Sequence, residues 1–210
     1  MINLLITGLS VLSLTIVIIL SGKFREKVLI DLDVKKINFL VKNVRKFVYL
    51  TSITLILIIF SKGDFETVSK NFGVLALLFV LSVYVPGLSL AYFPSFKLNG
   101  LLIRARRALG VSSFIFALTH FIILFFTRLG SRLDYFLFLP ENERFPIFLG
   151  TTSLILLTPL FLTSFDKVIS KIGNRNWKLL HRTVYLITVL VIFHAFLIGS
   201  SFSNSSSILP

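Results

Sequence analysis

His120 and His194 are the residues of this 210-residue chain best placed for chemistry in an apolar environment. Tyrosines aside, they are the only ionisable side chains that fall deep inside hydrophobic runs. An imidazole in hydrocarbon is costly unless a partner satisfies it, so each is a functional candidate. His120 follows Arg107 by 13 residues, and His194 follows His181 by 13 residues. Because 13 helical residues rise about 20 Å, the two imidazoles are predicted to lie at one depth and to share a ligand.

The composition narrows the choice of that ligand. The chain has no Cys, and its only Met is the initiator, which excludes thiolate-bound iron–sulfur clusters, thioether-linked haem, disulfides and an internal methionine axial ligand. All nine acidic residues lie in loops or at the edges of hydrophobic runs, so an intramembrane carboxylate relay is also excluded. Neutral imidazole is a good ligand for haem iron, and haem suits an apolar helix bundle. The residues therefore favour a haem held between His120 and His194.

The elements that must position these histidines are membrane-spanning helices. Hydrophobic residues make up 55% of the chain and the mean hydropathy is +0.92, which is far too apolar for a soluble domain. Since a span needs about 20 apolar residues, the sequence predicts an all-α polytopic membrane helix bundle with about six transmembrane helices. The predicted spans are residues 2–20, 44–61, 72–93, 107–126, 146–162 and 179–198.

We divide the sequence into three segments. They are an N-terminal anchor helix with a basic interfacial segment (1–43), a haem-binding transmembrane bundle (44–199) and a Ser-rich external tail (200–210). The first span is interpreted as a retained anchor, because no basic region precedes it and it leads directly into Lys23, Arg25 and Lys27. Within the basic segment, Asp33 is a candidate N-cap for an amphipathic helix at the membrane surface.

Positive charge is distributed unevenly between the predicted loops. Of the 22 Lys and Arg residues, 17 lie in the connections after spans one, three and five or at the adjoining ends of the spans that follow. The positive-inside rule then makes these loops cytoplasmic and places both termini outside, with His120 and His194 in the outer part of the membrane. The net charge of +13 is explained by this orientation and by contact with anionic lipid, so no nucleic-acid partner is needed.

The cytoplasmic ends of the two His-bearing spans carry further candidates. His181 lies at the start of the sixth span, whereas the fourth span has Arg106 and Arg107 at that height. On an ideal helix His181 points about 140° away from His194, while Arg106 shares a face with His120. A bend in the helix would rotate His181 inward as a candidate ligand or redox-site residue, and Arg106, or Arg107 at the same height, would then be placed to bind a haem propionate or a flavin phosphate. The alternative is that all three are interfacial anchors, and the number of haems, one or two, stays open.

A set of motifs runs through residues 73–199. They are ArgArgAlaLeuGlyVal at 106–111, ThrHis at 119–120, ArgPheProIlePheLeuGly at 144–150, ProLeuPheLeuThrSer at 159–164, Gly173, AsnTrpLysLeuLeuHisArg at 176–182, ValTyr at 184–185 and His194. Together they resemble the ferric reductase-like transmembrane family, and within it the MsrQ (YedZ) branch of haem-binding membrane subunits in bacterial methionine sulfoxide reductase systems.

The resemblance implies a set of ligands, partners and a location. The ligands of haem b would be His120, His181 and His194. Electrons would come from a cytoplasmic flavin reductase, with a flavin such as FMN at the cytoplasmic side. They would pass to a periplasmic oxidoreductase of the methionine sulfoxide reductase type. The resemblance also implies location in the bacterial inner (plasma) membrane.

The chain has no GxGxxG element and no soluble nucleotide-binding domain, so NAD(P)H oxidation is expected to belong to a separate protein. We therefore interpret the chain as an oxidoreductase component, an electron-transfer subunit, rather than a complete enzyme. Two alternatives remain. One is a stand-alone membrane ferric, metal or quinone reductase with a single outer haem, and the other is a non-redox transporter or assembly factor.

Overall fold

The computed structural model describes residues 34–61, 64–96 and 98–205, and this part of the chain is mainly helical, with no strand. The all-α prediction is therefore confirmed. The predicted first span, the basic segment up to and including Asp33 and the end of the Ser-rich tail lie outside the described residues. In chain order the α-helices are α1 (Val34–Phe60), α2 (Phe65–Ser82), α3 (Val85–Tyr92), α4 (Asn99–Thr127), α5 (Glu141–Leu162), α6 (Asp166–Ile172), α7 (Asn174–His181) and α8 (Val184–Ser205).

Five helical segments of the described chain are long and apolar enough to cross a membrane, and the protein is a multi-pass membrane protein. These segments are Val41–Phe60, Phe65–Tyr92, Asn99–Thr127, Glu141–Leu162 and Asn174–Ile198. They correspond to predicted spans two to six. The end of the basic segment is helical from Val34 onward, and this helix continues into the following span as the single helix α1.

Two of the spans are interrupted where the sequence predicted a continuous run. The break between α2 and α3 is followed by Pro86, which has no backbone N–H and disfavours helical geometry in the residue before it. The second break lies at Arg182 and Thr183, between α7 and α8. It follows immediately after His181, so this side chain and His194 lie on two different helices.

The described residues form two compact units that divide within α4, between Ser113 and Phe114. The first unit is held together by buried apolar side chains and by small polar ones. Phe72 is completely buried, Ser52 and Ser112 share a buried hydrogen bond of 2.8 Å, and Ser113 donates to the carbonyl of Ala76 at 2.9 Å. Small hydroxyl residues let membrane helices approach closely and satisfy one another where no water is present.

The second unit, from Phe114 onward, contains all three histidines. The helices α5 and α8 form its most extensive contact, and Phe114 stacks on Phe161 with ring centroids 4.3 Å apart. The core of this unit is apolar and includes Phe116, Ile147, Leu157, Leu160 and Ile187.

The connection from α4 to α5 is an ordered loop with a short 3-10 helix at Asp134–Phe138. Ser131 adopts a left-handed conformation, with φ of 65°. Arg132 forms an ion pair with Asp134 and lowers the pKa of that carboxyl, while Arg128 lies 3.7 Å from Glu143. The loop therefore returns the chain from the end of the His120 helix to the start of α5 with its charges paired.

Candidate functional site

The structure brings the rings of His120 and His194 together inside the second unit. His120 projects from the second half of α4 and His194 from the middle of α8, and both side chains are half-buried. Their ring centroids are 6.4 Å apart, and the ring planes meet at 69°. Two imidazoles from separate helices therefore converge at one level of the helix bundle.

The separation of the two rings fits one metal ion between them. A metal–imidazole nitrogen bond is about 2 Å and a ring nitrogen lies about 1.1 Å from the ring centroid, so two imidazoles on opposite sides of one metal have centroids about 6.2 Å apart. The observed 6.4 Å agrees with that geometry. Across the described ranges no group of three or more His, Asp or Glu side chains gathers as a metal cluster. Within the described residues, a metal between the two rings would have two imidazole ligands, and this donor set fits haem, in which the porphyrin nitrogens also bind the iron.

A backbone carbonyl fixes the tautomer of His194. The Nδ1 atom of His194 lies 2.7 Å from the carbonyl oxygen of Pro146, in the first part of α5. A carbonyl oxygen can only accept a hydrogen bond, so Nδ1 must carry the proton and donate it. The lone pair of neutral His194 is then on Nε2, the nitrogen that a metal would bind. Histidine ligands in proteins commonly have this kind of partner, because it orients the ring and increases its basicity.

The third histidine belongs to a separate cluster at the junction of α5 and α7. Trp177 packs on His181 with ring centroids 4.2 Å apart, and its indole N–H donates to the carbonyl of Thr163 at 3.0 Å. The hydroxyl of Thr163 donates to the carbonyl of Pro159 at 2.7 Å, and its oxygen lies 3.1 Å from Nε2 of His181. Since the hydroxyl proton is already used, Nε2 of His181 donates to Thr163. His181 is thus held by its own chain, apart from the His120–His194 pair.

The two candidate arginines lie in the first unit. Arg106 is exposed and Arg107 is half-buried, and both occupy the first half of α4, on the same helix as His120 and 14 and 13 residues before it.

Two features of the site went beyond what the sequence predicted. The partner of His194 is a main-chain atom of Pro146, to which no side-chain pattern points. Trp177 is the second feature, because the structure shows its indole N–H bonded to the carbonyl of Thr163, next to the end of α5, and its ring stacked on His181. A usable signal for the first feature is the Pro146 and Gly150 pair, one helical turn apart on a span that faces a histidine-bearing helix.

Comparison with known proteins identifies relatives of this region. The sequence pattern of the family described as "ferric reductase like transmembrane component" matches residues 72–192. The chain is 36% identical over 109 residues to the protein-methionine-sulfoxide reductase heme-binding subunit MsrQ of Ralstonia nicotianae, covering 50% of this chain and 49% of that protein. It is 37% identical over 123 residues to the subunit of the same name from Brucella anthropi, covering 58% of this chain and 52% of the relative.

A relative with a different name matches the same part of the chain. The magnetosome protein MamZ of Magnetospirillum gryphiswaldense is 33% identical over 120 residues, which is 56% of this chain and 18% of MamZ. The chain thus spans about half the length of the MsrQ proteins that it matches and a smaller share of MamZ.

Proposed function

This chain belongs to the family of ferric reductase-like transmembrane components, and from that premise we propose that it is a membrane subunit that binds haem b and transfers electrons through it. The observation that carries the proposal is the His120–His194 pair, with ring centroids 6.4 Å apart in the second unit. The names of the MsrQ relatives, which describe heme-binding subunits, support the same cofactor.

The proposed mechanism assigns binding and electrostatic roles to the chain's own residues. His120 and His194 would each hold the haem iron through one ring nitrogen, and the Nδ1–H of His194 is fixed by the Pro146 carbonyl at 2.7 Å. Phe116 and Ile123 lie about one turn to either side of His120, and both are buried. Such an apolar surrounding excludes water and helps to set the reduction potential of a bound haem. When bound, haem b supplies one-electron oxidation and reduction. No nucleophile or general acid is required.

The proposed direction of electron flow rests on the resemblance to MsrQ-like subunits, combined with the predicted topology. We propose that electrons come from a cytoplasmic flavin reductase, that FMN or another flavin is the immediate donor, and that an oxidoreductase outside the membrane accepts them. Arg106, Arg107 and His181 are assigned to the cytoplasmic side, where Arg106 and Arg107 would bind a phosphate or a haem propionate and His181 would be a ligand or redox-site residue. The relatives' names support a methionine sulfoxide reductase as the acceptor. The proposed location is the bacterial inner membrane, with both termini outside.

Optical spectroscopy on the purified protein tests the proposal. We expect a reduced-minus-oxidised spectrum of a low-spin b-type haem with two imidazole ligands. His120→Ala and His194→Ala should each lower the haem content by one equivalent relative to the parent protein, because each removes an axial ligand of the same haem. His181→Ala is the comparison variant, and it should retain the signal of the His120–His194 haem.

The haem content of the His181→Ala variant also separates one haem from two. A protein with a second haem at His181 will lose one equivalent in this variant, whereas a protein with a single haem will lose none. A colourless preparation from cells supplied with haem would exclude haem binding and leave a non-redox transporter or assembly factor.

A stand-alone ferric reductase is the second candidate. The words "ferric reductase like" in the family description support it. This candidate differs in one measurable respect from an electron-transfer subunit. The pre-reduced protein alone would transfer electrons to a ferric chelate or a quinone at a useful rate, with no external protein partner present. If oxidation of the haem instead requires an added external oxidoreductase, the subunit assignment stands.

A further inference from the structure

We infer that Gly150 and the backbone carbonyl of Pro146 together form a socket on α5 that sets the orientation of the His194 ring. This inference rests on the proposed function only where it concerns haem; the socket itself is a property of the protein chain. It makes Gly150 a positioning residue for a proposed haem ligand that lies on another helix.

The contact between Gly150 and His194 leaves no room for a side chain. A Cβ atom added to Gly150 would lie 2.7 Å from Cε1, 2.8 Å from Nδ1 and 3.2 Å from Nε2 of His194. The first two distances are shorter than real contacts of a Cβ atom, and all three atoms belong to the one ring. The imidazole therefore lies directly on the backbone of α5 at this residue, and any other amino acid at position 150 would displace it.

The same glycine keeps the acceptor of the hydrogen bond accessible. In an α-helix the carbonyl of a residue points along the axis toward the residue four positions later, so the Pro146 carbonyl points toward Gly150. A side chain at position 150 would project over that oxygen on the side where His194 approaches. Because Gly150 has none, Nδ1 reaches the Pro146 oxygen at 2.7 Å. The absence of a side chain at Gly150 thus gives the imidazole its space and also leaves the Pro146 oxygen accessible to Nδ1.

The hydrogen bond to Pro146 and the contact with Gly150 together restrain the His194 ring against rotation about its Cβ–Cγ bond. The hydrogen bond fixes one edge of the imidazole, and the backbone at Gly150 covers its neighbouring atoms. The plane of His194 is thereby held at 69° to the plane of His120. When axial imidazole planes are close to perpendicular, two iron d orbitals are nearly degenerate, and the ferric low-spin haem has a strongly anisotropic electron paramagnetic resonance (EPR) spectrum. Donation from Nδ1 also increases the basicity of Nε2 and favours ferric iron.

The decisive variant is Gly150→Ala, studied in the purified haem-loaded protein. We expect it to retain haem, but with a changed low-spin EPR signal and a more positive midpoint potential, because the displaced ring loses its hydrogen bond and its fixed plane. Gly110→Ala is the matched control, since a Cβ there would meet only Val83 Cγ2 at 3.9 Å, an ordinary contact. This control should have the EPR signal and potential of the parent protein. An EPR signal and potential of Gly150→Ala that equal those of the parent would overturn the inference.

A double-mutant cycle on the haem-free protein tests the socket independently of the cofactor. Gly150→Ala should lower the midpoint of thermal unfolding in the presence of His194, whereas the same change in a His194→Ala background should not lower it, because no ring is displaced and Ala has the higher helix propensity. Equal destabilisation in both backgrounds would show that Gly150 does not act through His194, and the inference would fail. This cycle also covers the case in which Gly150→Ala does not retain haem.

The two proposals fail in different ways. A colourless parent protein, or a His194→Ala variant with an unchanged haem spectrum, would contradict the proposed function. The double-mutant cycle on the haem-free protein would still test the socket in that case. A bis-imidazole haem in the parent with no effect of Gly150→Ala in either experiment would contradict the socket alone.

Discussion

Replacing Trp177 with Phe should weaken the junction of α5 and α7 by one hydrogen bond while leaving most of the ring packing intact. The indole N–H donates to the Thr163 carbonyl at 3.0 Å, and Phe has no donor to replace it. Loss of a hydrogen bond of this kind typically lowers the free energy of unfolding by about 1 kcal/mol. Phe can still stack on His181, whose ring centroid lies 4.2 Å from that of the indole.

Trp177→Ala removes the stacking as well as the hydrogen bond. An aromatic pair contributes about 0.5–1.5 kcal/mol beyond its buried area, so the combined loss is about 1.5–2.5 kcal/mol. For a chain of this size each 1 kcal/mol corresponds to about 2–4 °C in the unfolding midpoint. We therefore expect a decrease of about 2–4 °C for Trp177→Phe and of about 3–10 °C for Trp177→Ala.

Thermal unfolding of the protein in nanodiscs, followed by far-ultraviolet circular dichroism, measures both decreases. Thr163→Val is the companion variant, because it removes the hydroxyl that accepts from His181 but keeps the main-chain carbonyl that accepts from Trp177. The single Trp of the chain then reports on its own surroundings by fluorescence, which should change little. If Trp177→Phe unfolds with the parent while Trp177→Ala unfolds earlier, the hydrogen bond contributes nothing and the reasoning from the 3.0 Å contact is wrong.

Two further predictions concern parts of the chain away from the histidines. Ser112→Ala should lower the free energy of unfolding by about 1 kcal/mol, because buried Ser52 loses the hydroxyl partner at 2.8 Å, whereas the exposed Thr51→Ala serves as a near-neutral control. Asp64 caps α2 by accepting from the Thr67 N–H, which lowers the pKa of its carboxyl from the usual 3.8. Its contribution to stability is then complete above the unfolded-state pKa and is lost as the pH falls through the lower folded-state pKa. Between pH 6 and pH 3 the unfolding midpoint of the parent should fall further than that of Asp64→Asn, which cannot titrate; parallel curves would rule out the cap as the cause.

The main features of the fold could be predicted from the sequence because the bilayer imposes length and polarity on each span. A run of about 20 apolar residues can satisfy its backbone hydrogen bonds inside a bilayer in few ways other than an α-helix. For this reason predicted spans two to six coincide with helices in the structure. Pro86 itself is a local signal for the break between α2 and α3, but an average of hydropathy over the whole span does not show it. The break at Arg182 and Thr183 involves neither Pro nor Gly, so no local pattern indicates it.

The candidate site was predictable to a different degree. The convergence of His120 and His194 followed from counting residues from the polar ends of two spans, because helical rise is nearly constant. The environment of each ring depends on how α5 packs, and a residue pattern on one helix does not specify the rotation of its neighbour. For that reason the roles of Pro146, Thr163 and Trp177 required the structure. Gly150 lies in one of the sequence motifs, but only the structure shows that the imidazole of His194 packs on it.

The oxygen that accepts the hydrogen bond from His194 is a main-chain atom of Pro146, and this determines which mutations can remove the bond. Every amino acid carries the same carbonyl, so no codon change at Pro146 deletes the oxygen that receives the hydrogen bond. Every missense change at Gly150, by contrast, adds at least one carbon atom at the point where the imidazole lies. The hydrogen bond is therefore more sensitive to substitution of Gly150 than to substitution of Pro146, the residue whose carbonyl accepts it. A screen for defective alleles in α5 would accordingly identify a glycine that forms no bond to the histidine.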